Sequence, residues 1–148
     1  MKTKTNQLKN IIAAFVMVLG ISVFSSCATK TAFLSSEVVP AAEGTVSIRM
    51  DANKNYLIKV DVANLANSRN LTPPKSAYVI WMETDDSRSH NIGQIISSTG
   101  SMSNKLKASF ETVSANKPSK IFITAEDDAD IQYTYSDVVM TTDYIRLR

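Results

Sequence analysis

Three groups of residues in this sequence of 148 residues could do chemistry. The first is the only cysteine, Cys27, whose thiol could carry a covalent modification. The second is the only histidine, His90, which could act as a base for a neighbouring hydroxyl group. The third consists of carboxylates, which could bind calcium. They form two acidic groups, one of Glu83, Asp85 and Asp86 and the other of Glu126, Asp127, Asp128 and Asp130.

The surroundings of His90 do not have the pattern of a catalytic site. A nucleophilic serine needs a histidine that is held rigidly against it. His90 lies in a polar stretch with Ser87 and Ser89, and we interpret this stretch, 85–91, as a solvated loop. The sequence also has no Cys and His cluster with zinc-ligand spacing and no phosphate-binding glycine loop. We therefore predict a protein that is not an enzyme and that has no cofactor.

The two acidic groups each follow a predicted central strand. Calcium takes about six to eight oxygen ligands, which neither group supplies alone. If the two strands are antiparallel neighbours, the loops after them lie at opposite ends of the sheet, and the groups cannot share an ion. We interpret each group as a solvated loop, and the second group, at 126–130, stays open as a calcium candidate.

The first 26 residues have the composition of an export signal. Residues 1–10 contain three lysines and no acid, and residues 11–24 are almost wholly apolar. This apolar stretch is shorter than the about 20 residues that a helix needs to cross a bilayer. Small residues follow it, and this order is typical of a secretory signal rather than of a membrane-spanning helix.

Ser25, Ser26 and Cys27 resemble the end of a bacterial lipoprotein signal, in which small residues precede a lipidated cysteine. Phe24 stands where Leu is usual. The resemblance implies a diacylglyceryl thioether on Cys27, cleavage before it and acylation of the new amino group. Several acyl chains hold a protein stably on a membrane. The alternative is an ordinary signal followed by a free cysteine. In such lipoproteins, Asp directly after the cysteine marks retention in the inner membrane, and acids soon after it mark export to the surface. Here Ala28, Thr29 and Lys30 follow, and the first acid is Glu37, so the resemblance implies the periplasmic face of the outer membrane.

The rest of the chain divides into a tether and one domain. The signal takes three of the 16 basic residues and none of the 14 acidic ones, so the mature chain has a formal charge of −1 and no basic excess for nucleic acid. We expect a tether at 27–43, whose 16 residues after Cys27 could reach about 50 Å when extended. Its apolar residues, Phe33, Leu34, Val38 and Val39, could instead add an edge strand. The domain is predicted at 44–148.

The domain has the pattern of an all-β protein. Apolar and polar residues alternate in the predicted hairpin 44–50 and 56–63, which is typical of half-buried strands. The segments 77–82 and 121–125 are almost entirely apolar and predict central strands. Further short strands are predicted at 92–98, with a bulge at Gly93, and at 106–111, and the segments 138–140 and 144–147 are predicted to form one long bent strand. We predict an immunoglobulin-like antiparallel β-sandwich of about seven or eight strands, with Trp81 and Phe110 buried between its sheets.

A set of short motifs in this domain resembles the extracytoplasmic C-terminal domain of anti-sigma-K factors. The motifs are 60–65, Pro74, 78–82, 92–95 and 123–128, and they occur in the order of that family. The resemblance implies an immunoglobulin-like sandwich outside the cytoplasm. The family's cytoplasmic sigma-binding domain and membrane helix are replaced here by the lipid anchor, and its Gly/Pro loop is replaced by 128–133. Only the fold and the setting therefore carry over.

These observations favour a lipid-anchored binding or accessory module that contacts an envelope protein, including one in envelope signalling. In an immunoglobulin-like sandwich the loops 65–76 and 126–136 share one end. They carry charges of both signs and tyrosines, which suit a protein contact, and the candidate contact residues are Arg69, Lys75, Tyr133 and Tyr135. The alternative is a structural or adhesive envelope component that assembles through sheet edges.

Overall fold

The computed structural model describes residues 28–95 and 107–147. The signal at 1–26, Cys27, residues 96–98 of the predicted fourth strand, and Leu106 lie outside the described residues. The described part contains one short 3-10 helix, Ser68–Asn70, and no helix in it is long and apolar enough to cross a membrane. Its strands are β1 (Thr29–Ala32), β2 (Glu43–Met50), β3 (Tyr56–Ala63), β4 (Ala77–Thr84), β5 (Ser89–Ile95), β6 (Lys107–Ser114), β7 (Pro118–Glu126) and β8 (Val138–Thr141).

The eight described strands form two antiparallel sheets, with the orders β1-β2-β3-β6 and β5-β4-β7-β8. The first sheet has the strand order of an immunoglobulin domain, in which β2, β3 and β6 occupy the positions of strands A, B and E. In the second sheet, β4, β7 and β8 occupy those of strands C, F and G. Both β4 and β7 are central strands, as their apolar sequences predict. The predicted immunoglobulin-like sandwich is confirmed.

The hairpin of β2 and β3 shows how the alternating sequence forms one wall of the core. Val46 pairs with Val60 and Ile48 pairs with Ile58, so their side chains lie on the same buried face. The turn between the strands is held by Asp51, whose Oδ1 accepts hydrogen bonds from the backbone N–H groups of Asn53 and Asn55, each at 2.8 Å. The predicted hairpin and its turn are therefore confirmed.

The segment expected as a tether belongs to the sandwich. Residues 29–32 form β1, which pairs with β2 along its whole length. The chain then crosses to the other sheet, where the Leu34 N–H donates to the Thr141 carbonyl at 2.8 Å. Phe33 forms an isolated bridge with Thr142, and Val39 is buried in the core. The expectation of a free tether is wrong, because residues 29–32 add an edge strand to β2, which was the alternative, and because Phe33 and Val39 pack against the core.

Three other boundaries differ from the prediction. His90 and Asn91 lie on β5 rather than in a loop, because β5 starts at Ser89 and pairs with the end of β4. The strand β7 starts at Pro118, and proline is tolerated at the first residue of a strand. Residues 144–147 are irregular and are held by a hydrogen bond from the Ile145 N–H to the Ser119 carbonyl at 2.7 Å.

Trp81 is fully buried, but it does not lie between the sheets. Alternate residues of β4 point to opposite faces, and Ile80 and Met82 belong to the cluster between the sheets. Trp81 and Val79 form a second cluster with Phe122, against which Ile131 packs. The prediction of burial is confirmed, and the predicted location is wrong because a chain segment covers the outer face of this sheet.

Phe110 is half-buried rather than buried, and it closes the side of the sandwich where β5 and β6 approach each other. A Cβ atom at Gly93 would lie 2.4 Å from the Phe110 ring, and Gly93 has φ +144°, so only glycine fits there. The register of β4 and β5 shifts at this point, which confirms the bulge predicted at Gly93.

Deeper in the core, burial raises the pKa of Tyr78 to about 12, and the Tyr78 hydroxyl has no hydrogen-bond partner in the described structure.

Candidate functional site

The segment 127–137, here called the tyrosine loop, leaves the end of β7 and folds back over the outer face of the second sheet. Its Ile131 side chain packs on the cluster of Val79, Trp81 and Phe122. The rings of Trp81 and Phe122 stack with their centroids 6.1 Å apart and their planes 12° apart. The two rings therefore form an apolar base for the loop.

A second attachment of the tyrosine loop comes from Asn91 on β5. The Asn91 Nδ2 donates hydrogen bonds to the backbone carbonyls of Ala129 at 2.8 Å and Ile131 at 2.9 Å. The Asn91 Oδ1 accepts a hydrogen bond from the Gly93 N–H at 3.0 Å, which fixes the orientation of the amide. One side chain thus satisfies two carbonyl groups of a segment that has no regular secondary structure.

The third attachment is a network of hydrogen bonds around Glu126, which is only 5% exposed. Its Oε1 accepts hydrogen bonds from the hydroxyls of Thr124 and Thr134, each at 2.6 Å, and its Oε2 accepts one from the Ser136 hydroxyl at 2.6 Å. The Thr124 hydroxyl in turn accepts a hydrogen bond from the Trp81 Nε1–H at 2.8 Å. The network connects the buried indole directly to the loop residues beside the tyrosines.

The carboxylate of Glu126 is stabilised in its ionised form. Burial raises the pKa of Glu126, but the hydrogen bonds from Ser136, Thr124 and Thr134 and the nearby charge of Lys75 lower it by more. The net effect is a pKa below the ordinary value of a glutamate. The three hydroxyl donors fill most of the roughly four acceptor positions of this buried carboxylate. Because two of the donors belong to the tyrosine loop, Glu126 attaches the loop to the end of β7.

The segment 64–76, here called the proline loop, contacts the start of the tyrosine loop. The Lys75 Nζ lies 2.9 Å from the Asp127 Oδ2, and the Ser76 N–H donates to the Glu126 carbonyl at 2.9 Å. Within the proline loop, the Lys75 N–H donates to the Ser68 carbonyl at 3.0 Å, and the peptide bond between Thr72 and Pro73 is cis. The two loops therefore share one end of the sandwich, as the sequence predicts.

The structure brings together two of the four predicted contact residues. Lys75 and Tyr135 line a groove of about 330 Å³ between the proline loop and the tyrosine loop. Tyr135 is 97% exposed and Tyr133 is 76% exposed, while Arg69 is exposed on the 3-10 helix. Tyr133 and Arg69 do not line this groove. The tyrosines are thus surface residues on a loop that is attached at three places, once through backbone carbonyls and twice through side chains.

A second groove, of about 530 Å³, continues this surface along β8. It lies between residues 34–38 and β8, and it shares Val38, Asp137 and Val139 with the first groove. Leu34, Val38 and Val138 are large apolar side chains exposed along it. Sequence reasoning missed this surface because it assigned residues 27–43 to a tether. We call the two grooves and Tyr133 together the tyrosine-loop surface.

The calcium candidate at 126–130 does not form a cluster of ligands. The Glu126 oxygens are occupied by hydroxyl groups, and Asp127 is paired with Lys75. Among residues 28–95 and 107–147, no group of three or more His, Cys, Asp or Glu residues is arranged to hold a metal ion. The first acidic group lies at the opposite end of the sandwich, because β4 and β7 are antiparallel.

The opposite end carries a polar groove of about 360 Å³ that includes His90. Here the Thr84 hydroxyl and Arg88 donate hydrogen bonds to Asp86 and lower the pKa of Asp86 to about 2. Asp85 accepts a hydrogen bond from the Tyr144 hydroxyl at 2.8 Å and lies 3.4 Å from the Lys117 Nζ. The structure records no bond from His90 to Ser87 or Ser89 in the described chain, and the carboxylates are engaged by other groups. This groove is a set of paired charges.

A broader groove of about 790 Å³ lies where β1, β2, β3 and β6 come together at one end of the first sheet. Many of its lining residues are short, including Ala32, Gly44 and Ala63. Two acids, Glu43 and Asp61, line the groove. Asp61 is engaged, because it accepts a hydrogen bond from the Ser109 hydroxyl at 2.7 Å and lies 3.5 Å from the Lys59 Nζ.

Comparison of the chain with protein-family models, with curated proteins and with solved structures gave no match. The class that the structure itself shows is an all-β, immunoglobulin-like sandwich of eight described strands. A function has to be argued from the surface described above, because many different functions occur on this fold.

Proposed function

We propose that this protein is a lipid-anchored envelope protein, without enzymatic activity, whose sandwich binds another envelope protein through the tyrosine-loop surface. The observation that supports the proposal is the combination of exposed tyrosines with a loop that is anchored beside them. Tyr135 is 97% exposed, yet the residues on both sides of it, Thr134 and Ser136, are hydrogen-bonded to the buried Glu126. The resemblance to anti-sigma-K domains adds envelope signalling as a setting for such a contact.

Fixing a loop before binding reduces the conformational entropy that is lost on association. Tyrosine suits such a loop because it offers a large apolar ring with a polar hydroxyl and few rotatable bonds. The apolar side chains Leu34, Val38 and Val138 extend the contact area along β8. A surface of this kind is typical of protein contacts, in which a few aromatic residues provide much of the binding energy.

The charge around the tyrosine-loop surface favours a basic partner. The tyrosine loop contains four acids and no lysine or arginine. Lys75 is paired with one of them, Asp127. Asp137 is exposed and lines both grooves, and Asp128 and Asp130 are exposed elsewhere on the same loop. Complementary charge accelerates encounter and selects the partner. We therefore propose that the partner presents lysine or arginine next to apolar side chains, and that raising the salt concentration weakens the complex.

Assembly through sheet edges has less support at β8. This strand has only four residues, and the Thr141 carbonyl at its edge already accepts a hydrogen bond from Leu34. Short and covered edges are features that oppose strand addition. Crosslinking in intact envelopes would detect self-assembly as contacts between copies of this chain.

Changing Tyr133→Ala together with Tyr135→Ala is expected to abolish capture of the partner and to leave the melting temperature nearly unchanged, because both rings are exposed. The measurement is a crosslinked pull-down from intact envelopes, together with thermal unfolding of each variant. Tyr144→Ala is the matched control, since Tyr144 is an exposed tyrosine at the opposite end. Capture that survives the double change, or capture of this chain alone, would contradict the proposed surface.

The lipid anchor makes a separate prediction. The wild-type protein should incorporate labelled palmitate and partition with membranes, and Cys27→Ser should abolish the label, because the thioether needs the Cys27 sulfur. The test is radiolabelling in cells that express each form, followed by membrane fractionation. Label retained in the Cys27→Ser variant would refute the anchor.

The proposed location makes a further prediction. On the periplasmic face of the outer membrane, the domain should resist protease added to intact cells, and digestion would place it on the cell surface.

A further inference from the structure

We propose that the end of the sandwich opposite the tyrosine loop rests against the lipid surface, so that the tyrosine-loop surface points away from the membrane. We call the end that rests against the lipid the anchor end, and it is defined by the turns 51–55, 85–88 and 115–117. The inference rests on the lipid anchor at Cys27 proposed above, and it adds the orientation in which the domain meets a partner.

The length of chain between the anchor and the fold supports this orientation. A single residue, Ala28, separates Cys27 from Thr29, the first residue of β1. Two peptide units span at most about 7 Å, so Thr29 lies that close to the lipidated residue. The chain cannot lengthen here without loss of structure, because all four residues of β1 pair with β2. A lipid on Cys27 therefore holds the start of β1 at the headgroup layer.

The direction of β1 identifies which end of the sandwich is held. β1 is antiparallel to β2, and Thr29 pairs with Ile48, two residues before β2 ends at Met50. The turn 51–55 follows directly, and β3 returns from it with Tyr56 opposite Ser114 at the end of β6. The next turn, 115–117, leads into β7, whose first residues pair with the end of β4. The three turns that define the anchor end therefore lie around the start of β1.

The anchor end has a surface that suits contact with lipid headgroups. Its charges are balanced, because Asp85 lies close to Lys117 and Asp86 pairs with Arg88. Anionic lipids would therefore not repel it strongly. Tyr144, which is 58% exposed, lies here with its hydroxyl on Asp85, and tyrosine is enriched where proteins meet the membrane interface.

The tyrosine loop follows the other end of β7 and is separated from the anchor end by the length of the strands. Eight residues of β-strand span about 25 Å, and β2, β3, β4 and β6 each contain eight residues. The tyrosine-loop surface thus lies about one strand length above the lipid. A partner can reach it without competing with the membrane.

Two single-cysteine variants test the orientation in the full lipidated protein. Asn53→Cys places a free thiol in the turn of the anchor end, and Asn70→Cys places one in the proline loop at the far end; both asparagines are exposed. The lipidated Cys27 does not react with a maleimide dye, so each protein carries one label. The proteins are reconstituted into vesicles of phosphatidylethanolamine and phosphatidylglycerol that contain a lipid with a nitroxide on its headgroup. We expect severalfold stronger quenching of the dye at position 53 than at position 70.

A control variant carries twelve additional Gly and Ser residues between Ala28 and Thr29, and it should lose most of the difference while staying on the vesicles. Equal quenching at both positions, or stronger quenching at position 70, would overturn the orientation. If the difference in quenching between positions 53 and 70 survives the insertion, the short connection between Cys27 and β1 is not what orients the domain. Protein that does not float with the vesicles would instead refute the lipid anchor, and the orientation with it, whereas partner capture is measured separately.

Discussion

Replacing Trp81 with Ala is expected to lower the free energy of unfolding by about 3–5 kcal/mol. The indole is fully buried, stacks on Phe122 and supports Ile131 of the tyrosine loop. The change removes this packing and also leaves the Thr124 hydroxyl without the Nε1–H donor. A loss of this size is a large share of the stability of a small domain. It is measured by urea unfolding, followed by circular dichroism because the variant has no tryptophan.

The milder variant Trp81→Phe keeps an aromatic ring beside Phe122, and it removes the Nε1–H together with part of the indole volume. We expect it to cost less than Trp81→Ala. The wild-type protein provides a second check, since its single tryptophan should emit at short wavelength and resist quenching by iodide. Red-shifted and fully quenchable emission from the native protein would show that Trp81 is at the surface and would refute the covered outer face.

Replacing Glu126 with Gln is expected to cost about 2–3 kcal/mol and to release the tyrosine loop, because three hydroxyl hydrogen bonds to a charged acceptor are lost or weakened. The loss of stability is measured by urea unfolding. Release of the loop is measured by hydrogen exchange of the amides at 127–137, which should become faster while the amides of β4 and β7 stay protected. Asp137→Asn is the control, because it removes an exposed acid from the same loop. Unchanged exchange in the Glu126→Gln variant would contradict the anchoring role.

The same network predicts a pH dependence. The pKa of Glu126 is lower in the folded protein than its ordinary value of 4.5, so the folded state binds the proton more weakly than the unfolded state. Its contribution to stability is therefore complete above that ordinary value and is lost as the pH falls through the folded pKa. As the pH falls below 4.5, the wild-type protein should therefore lose more stability than Glu126→Gln. Parallel curves for the two proteins would refute the contribution of Glu126, since other acids such as Asp86 titrate in both.

Much of the architecture follows from local patterns in the sequence. Apolar residues at every second position predict β2 and β3, and the almost uninterrupted apolar segments predict β4 and β7 as central strands, because such strands are covered on both faces. The antiparallel neighbours β4 and β7 in turn place the two acidic groups at opposite ends. Each of these conclusions depends on residues within one strand or on the known order of strands in this class of sandwich.

The candidate site depends instead on contacts between residues that are far apart in the chain. The sequence predicts that Trp81 is buried, but its partners lie about 40 or more residues further along the chain, at Thr124 and Ile131. Glu126 looks like one of several acids of a solvated loop until the fold places the Thr134 and Ser136 hydroxyls on it. Residues 29–39 have the composition of a linker, and they join the sandwich because β2 and β8 offer them an edge to pair with. Such contacts form only when the complete fold brings the partners together, so composition and periodicity do not contain them.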